Sequence, residues 1–272
     1  MREQARTLST LRRSIERLEA SDEAYPPRRR LLGHAEADAS LQGGLALGAI
    51  HEVFAQAGRQ SAVATGFIAG LAGRVAERRP LVWIRQDFTE VETGAVSMSG
   101  FSELGLDPRL LVTVRAADVD HALRTAADAL ACDAVGAVVL DIWGEARQFD
   151  LVASRKLTLA AQASGATGLI LRMAAEPRPS TAETRWIVRA AHSLPASQPW
   201  SAWGSPLFDT QLVRNRHGPT GRWIMEWKCD ECLFGEPAAY SQPVAAAPAY
   251  RPHQATVTTN KNAFGRSGYR VA

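Results

Sequence analysis

Three places along the chain hold residue types whose spacing could do chemistry. The first is Phe54-Ala-Gln-Ala-Gly58-Arg59-Gln60-Ser61, between an apolar run and a helix-forming stretch. A loop at such a junction wraps a phosphate with backbone N–H groups when glycines open it, and a Lys followed by Ser or Thr supplies charge and a magnesium ligand. Here Gly58 is the glycine that remains, and Gln60-Ser61 stands where Lys-Thr is required. No Lys occurs before Lys156, so no shift of register can supply one. Arg59 brings charge but lies ahead of the required position and is bulkier. ATP hydrolysis is therefore not expected.

The second place is Val138-Val-Leu-Asp141, an apolar run ending in a carboxylate, the form of a magnesium-orienting acid on a buried strand. Asp87, just past another apolar run, could have polarised water, but a solvated loop acid is the simpler reading. The third is Cys229-Asp-Glu-Cys232. Structural zinc takes four ligands, and His217 and His253 do not make a second pair of the right spacing. Acids between the cysteines would raise the thiol pKa and blunt redox reactivity. Structural thiols are the first reading, with metal and redox roles as lesser alternatives. No catalytic residue, metal or cofactor is assigned.

The elements that must position these residues follow from apolar periodicity. Leu8, Leu11, Ile15 and Leu18 recur at three- and four-residue spacing among Arg and Glu, which predicts an amphipathic helix within residues 1–25. Pro26 and Pro27 stop it, and 26–47 reads as a linker. Because nothing apolar follows at once, the helix docks far along its own chain or on another chain. Leu8, Leu11, Ile15 and Leu18 are therefore interface candidates, with packing on the chain's own sheet as the rival. From Gly48 strands alternate with helices: strands over 49–54, 81–85, 110–114, 134–141 and 168–173, and helices over 61–78, 118–131 and 149–164. That alternation implies right-handed crossovers and a mostly parallel twisted sheet with helices on both faces, an α/β fold. Shorter strands over 185–193, 210–214 and 223–228 suit antiparallel hairpins beside it. A core over 48–235 results, and 236–272, rich in Pro, Ala, Ser and Thr, reads as a low-complexity, disordered tail.

Composition excludes several classes. At 272 residues with 46% hydrophobic content the chain can bury a sizeable core. No run approaches the roughly 20 apolar residues of a membrane span, and the charged N-terminus is not a signal peptide. A soluble cytoplasmic protein with no membrane contact is expected. The net charge of +3 does not demand nucleic acid. Of 31 basic residues 28 are Arg, which suits a GC-rich coding bias more simply than phosphate recognition.

From about 40 to 230 the sequence resembles a RecA-type core. The matching stretches are Gly48-Ala-Ile-His-Glu-Val-Phe into a degenerate P-loop, Phe101-Ser-Glu-Leu-Gly-Leu-Asp-Pro-Arg-Leu-Leu, the run into Asp141, and Ser154-Arg-Lys-Leu. Gln211-Leu-Val-Arg-Asn-Arg-His-Gly-Pro resembles a RecA strand whose paired cations reach nucleotide on a neighbouring subunit, which points to Arg214 and Arg216 as interface candidates. Two exposed strand-end arginines are the plainer alternative. With the P-loop Lys lost and a tail in place of RecA's C-terminal domain, the chain is most similar to the ImuA family. The N-terminal helix, Trp83-Ile-Arg-Gln, Ser205-Pro-Leu-Phe-Asp and Arg214-Asn-Arg216 carry that similarity. The resemblance implies a non-catalytic adaptor in SOS-induced error-prone translesion synthesis. Its implied partners are ImuB, an error-prone C-family polymerase and RecA itself. A SulA-like cell-division inhibitor and an ATP-binding RecA-type recombination mediator are the alternatives. RecA-type proteins bind single strands through the loops after the fourth and fifth strands. Here those loops, around Arg147 and Arg178, mix charges, so only weak DNA contact is expected, aided by the basic tail.

Overall fold

In the computed structural model, residues 28–55, 60–192 and 204–237 are described. The expected N-terminal helix and tail lie outside them, except for the tail's first two residues. A two-stranded ribbon of β1 (Arg29–Arg30) and β2 (Leu45–Ala46) brackets α1 (Ala35–Ser40). Then come β3 (Ile50–Ala55), α2 (Ser61–Ala76), β4 (Leu81–Gln86), α3 (Asp87–Thr93) and α4 (Met98–Glu103). They are followed by β5 (Leu111–Ala116), α5 (Val119–Leu130), β6 (Ala137–Trp143), α6 (Leu151–Ser164) and β7 (Thr167–Met173). The last strands are β8 (Thr184–Ala190), β9 (Leu207–Asn215), β10 (Gly221–Lys228) and β11 (Leu233–Gly235).

The expected α/β architecture is present. One nine-stranded sheet runs β11-β10-β9-β8-β3-β7-β6-β4-β5. From β5 through β8 the neighbours are parallel, and β8–β9, β9–β10 and β10–β11 are antiparallel. Thus the strand expected to open the hairpins instead extends the parallel set, beside β3. The stretch expected as a linker is folded: Leu32, Leu41 and Leu45 are buried in the main core. Its Gly and Arg content hides those leucines, which are too sparse for a visible period.

Each face of the sheet is closed by sequence that suits it. On one face, Ile84, Val138, Leu140 and Ile170 pack under α5 and α6. Asp118 and Asp150 cap these helices by accepting from the N–H of His121 and Ala153, at 2.8 Å each. On the other face α2 lies against Val53, Trp83, Val139 and Trp186. A Cβ on its Gly70 would meet Phe234 at 2.8 Å and Trp227 at 3.0 Å, so that glycine lets the helix approach the aromatic rings of β10 and β11. Phe67 holds the centre, with ring centroids of Trp186, Phe208 and Phe234 at 5.8, 5.5 and 5.2 Å.

His51 ties the ribbon to the sheet. Its ring is fully buried on β3, with Nε2 2.8 Å from the Ala46 carbonyl and Nδ1 2.8 Å from Thr184 Oγ1. A carbonyl can only accept, so Nε2 carries the proton and Nδ1 accepts from the hydroxyl. Burial pushes the ring's pKa down to about 4, against the Ala46 bond and with a smaller contribution from Arg29. Because the folded-state pKa lies below the ordinary value of 6.5, the stability held above pH 6.5 is lost as pH falls from there towards 4. Urea melts should show a loss on the order of 3 kcal/mol across that window, and His51→Gln should flatten it. An unchanged slope would show that His51 does not govern acid stability.

Candidate functional site

The residues singled out along the first half of the chain are placed by β4, β6 and the start of α2. Asp141 does not end its strand. β6 continues to Trp143, so the carboxylate lies within the sheet, fully buried and in register with Arg85 on β4. Arg85 Nε donates to Asp141 Oδ2 at 2.8 Å, and Trp83 Nε1 makes a longer contact of 3.4 Å to the same oxygen. Nη1 of Arg85 donates to the Gly94 carbonyl and Nη2 to Thr93 Oγ1 at 3.1 Å. One guanidinium therefore neutralises the carboxylate and anchors the end of α3. Burial pushes the Asp141 carboxyl up, while the Arg85 charge and hydrogen bond and the Trp83 bond oppose that rise. Its Oδ1 is buried with no hydrogen-bond partner among the described residues.

Of the segment expected as a degenerate P-loop, Gly58 and Arg59 lie outside the described residues. Gln60 precedes the first turn of α2, and its Oε1 accepts from the Ala190 N–H at 2.9 Å, joining the loop's exit to the end of β8. Ser61 opens α2 and lines a cavity of about 360 Å3 together with Thr65, Trp83, Arg85, Ser97 and Phe101. Asp87 opens α3, is half-buried and pairs with Arg115 at 3.0 Å.

Other expected residues stand elsewhere. Arg214 and Arg216 lie at the opposite end of the strands from Ser61, because antiparallel β9 ends where β8 begins. Arg214 Nη1 donates to the Ser180 carbonyl at 2.8 Å, and Arg216 is exposed. Within one chain they do not meet the P-loop position. Leu8, Leu11, Ile15 and Leu18 lie outside the described residues. Cys229 and Cys232 are free and half-buried in the β10–β11 turn, where Cys232 Sγ donates to the Gly105 carbonyl at 3.1 Å. Burial pushes both thiols up, with Asp230 adding to the rise. No group of three or more His, Cys, Asp or Glu suited to a metal occurs among the described residues.

The loops after β6 and β7 are bound to each other. Glu145 Oε1 accepts from the Glu176 N–H at 2.8 Å, and Oε2 pairs with Arg178 at 2.8 Å. Nearby, Glu52 pairs with Arg185 at 2.7 Å, and the Arg172 guanidinium sits between the rings of Phe54 and Phe149. Sequence reading assigned no role to Arg85, Glu52, Arg172 or Arg185. The available signal was an ionisable residue inside an apolar strand, as in Leu81-Val-Trp-Ile-Arg85.

No family model matches the chain. Two curated relatives are each named Protein ImuA, from Caulobacter vibrioides strains NA1000 / CB15N and ATCC 19089 / CIP 103742 / CB 15. Each is 31% identical over 199 residues, which cover 68% of this chain and 77% of the relative. The chain belongs to the ImuA family. Among the described residues no helix is long and apolar enough to cross a membrane. In this ImuA family member Asp141, expected from the sequence as a magnesium-orienting acid, is engaged in an internal ion pair with Arg85.

Removing one partner of a buried pair strands the other charge. Arg85→Ala should therefore destabilise the fold by about 3–5 kcal/mol in denaturant melts, and adding Asp141→Leu should recover most of that loss. A single substitution costing under about 1 kcal/mol would mean that water reaches the pair.

Proposed function

We propose that this chain is a non-catalytic, RecA-like adaptor in SOS-induced error-prone translesion DNA synthesis, working beside ImuB and an error-prone C-family polymerase. Membership of the ImuA family supports the pathway. The observation that carries the non-catalytic reading is the Arg85–Asp141 pair, at 2.8 Å on adjacent strands. Metal-assisted phosphoryl transfer needs an acid free to orient magnesium and a cation on the outer phosphates. Here the acid is already bound to an arginine, and the loop ahead of α2 has no lysine. What persists is the framework of strands and helices, whose value to an adaptor is its surface.

The same reasoning gives DNA a minor part. The loops after β6 and β7 set Glu145 against Arg178, which leaves little of the free positive charge that draws a phosphate backbone.

The purified chain should release no phosphate from ATP above background, with or without single-stranded DNA, and should not bind a fluorescent ATP analogue at micromolar concentration. It should retain ImuB and the polymerase in a pull-down. DNA-stimulated hydrolysis abolished by Asp141→Ala would replace the adaptor with an ATP-dependent mediator. Capture of a tubulin-like GTPase in place of the polymerase partners would favour the division-inhibitor reading.

A further inference from the structure

The cavity beside Arg85 opens between the first half of α2 and α4. Its walls are mostly apolar or small: Ala62, Gly66, Val96, Gly100, Phe101 and Leu104. At about 360 Å3 it lies in the size range of ligand pockets, about 300–1,000 Å3, but the Arg85 guanidinium on its wall is already engaged. Nothing on the walls beyond a few hydroxyls would orient a polar ligand. Met98, on the outside of α4, is 42% exposed and extends the apolar surface past the mouth. Glu92 and Glu103 stand exposed on the neighbouring turns.

We propose that the amphipathic helix of residues 3–20 docks here on its own chain, placing Leu8, Leu11, Ile15 and Leu18 over the cavity between α2 and α4. Three observations select this occupant. The described chain starts at the opposite end of α2, where Arg28 and Arg30 both pair with Glu77, the residue that follows the helix. Residues 21–27 can span about 23–25 Å when extended, and the 16 residues of α2 rise about 24 Å, so the linker reaches the cavity end. The helix is also rich in arginine, with Arg6, Arg12, Arg13 and Arg17, and Arg12 flanks its apolar stripe, complementing Glu92 and Glu103. A helix of this length is marginal alone in water and needs such a surface. This arrangement gives the rival to a partner-binding helix a definite place on the chain's own fold.

Hydrogen–deuterium exchange on the full chain tests it, comparing wild type with the Leu11→Asp/Ile15→Asp double variant. Circular dichroism checks that the fold is kept. The variant should exchange at least about tenfold faster in residues 5–20, 61–66 and 95–104, with β6 and β7 unchanged. The wild-type protection should be independent of protein concentration, and sedimentation should report a monomer. A second variant, Ala62→Trp, fills the mouth from an exposed position and should release residues 5–20 alone. Protection that grows with concentration, or a dimer lost in the double variant, would place the helix on a second copy and overturn the proposal. Equal exchange in wild type and both variants would overturn it as well. Neither result bears on ATP or on the polymerase partners.

Discussion

A carboxylate in the middle of a buried strand has to be neutralised or solvated, and much of this molecule is arranged around that requirement. Asp141 lies where no water reaches the strand, so the neighbouring strand supplies Arg85 in exact register, 2.8 Å away. The arginine in turn has more donors than one carboxylate can use, and the spare ones fix Thr93 and Gly94. The segment after β4 is thereby pulled down over the ends of β4 and β6. Phe88, on the same short helix, meets Trp143 edge-on at 6.5 Å. One ion pair sets strand register, loop position and the wall of the neighbouring cavity.

The same solution recurs on the other face. Glu52 on β3 is buried and answered by Arg185 on β8, one strand over. Arg172 on β7 has aromatic rings on two sides and one carbonyl, an arrangement suited to a planar, weakly hydrated cation. Burial holds the Arg172 pKa down, with the charges of Glu52 and Glu145 opposing that effect. Each buried charge near the ends of the central strands is thus committed to internal structure. A site for phosphoryl transfer keeps such groups available to substrate and metal, whereas these brace neighbouring strands.

Close approach also governs the way α2 is seated. Its glycines face bulky neighbours, with Gly66 near Phe208, Gly70 against Phe234 and Trp227, and Gly73 against Leu106. The second half of the helix is covered by β10, β11 and the chain after α4. Its first half, where a phosphate-binding loop would discharge onto a ligand, instead borders a mostly apolar hollow.

Much of the fold was legible in the sequence because its signals are local. Apolar runs such as Leu81–Arg85 and Gly168–Met173 name buried strands, Asp118 heads one helix-forming stretch, and alternation of the two implies parallel crossovers. The missing lysine also needed no structure, since no register provides one. The folding of 28–47 was hidden because Leu32, Leu41 and Leu45 are buried by strands far along the chain, with no period of their own. That Asp141 is unavailable was hidden for the same reason. Its partner is 56 residues away, and only sheet order places β4 beside β6. Residue types and spacing determined which elements form and that no lysine stands ahead of α2. Tertiary structure alone decided which charges are already spent on each other, because pairing depends on strand adjacency, and adjacency is a property of the whole sheet.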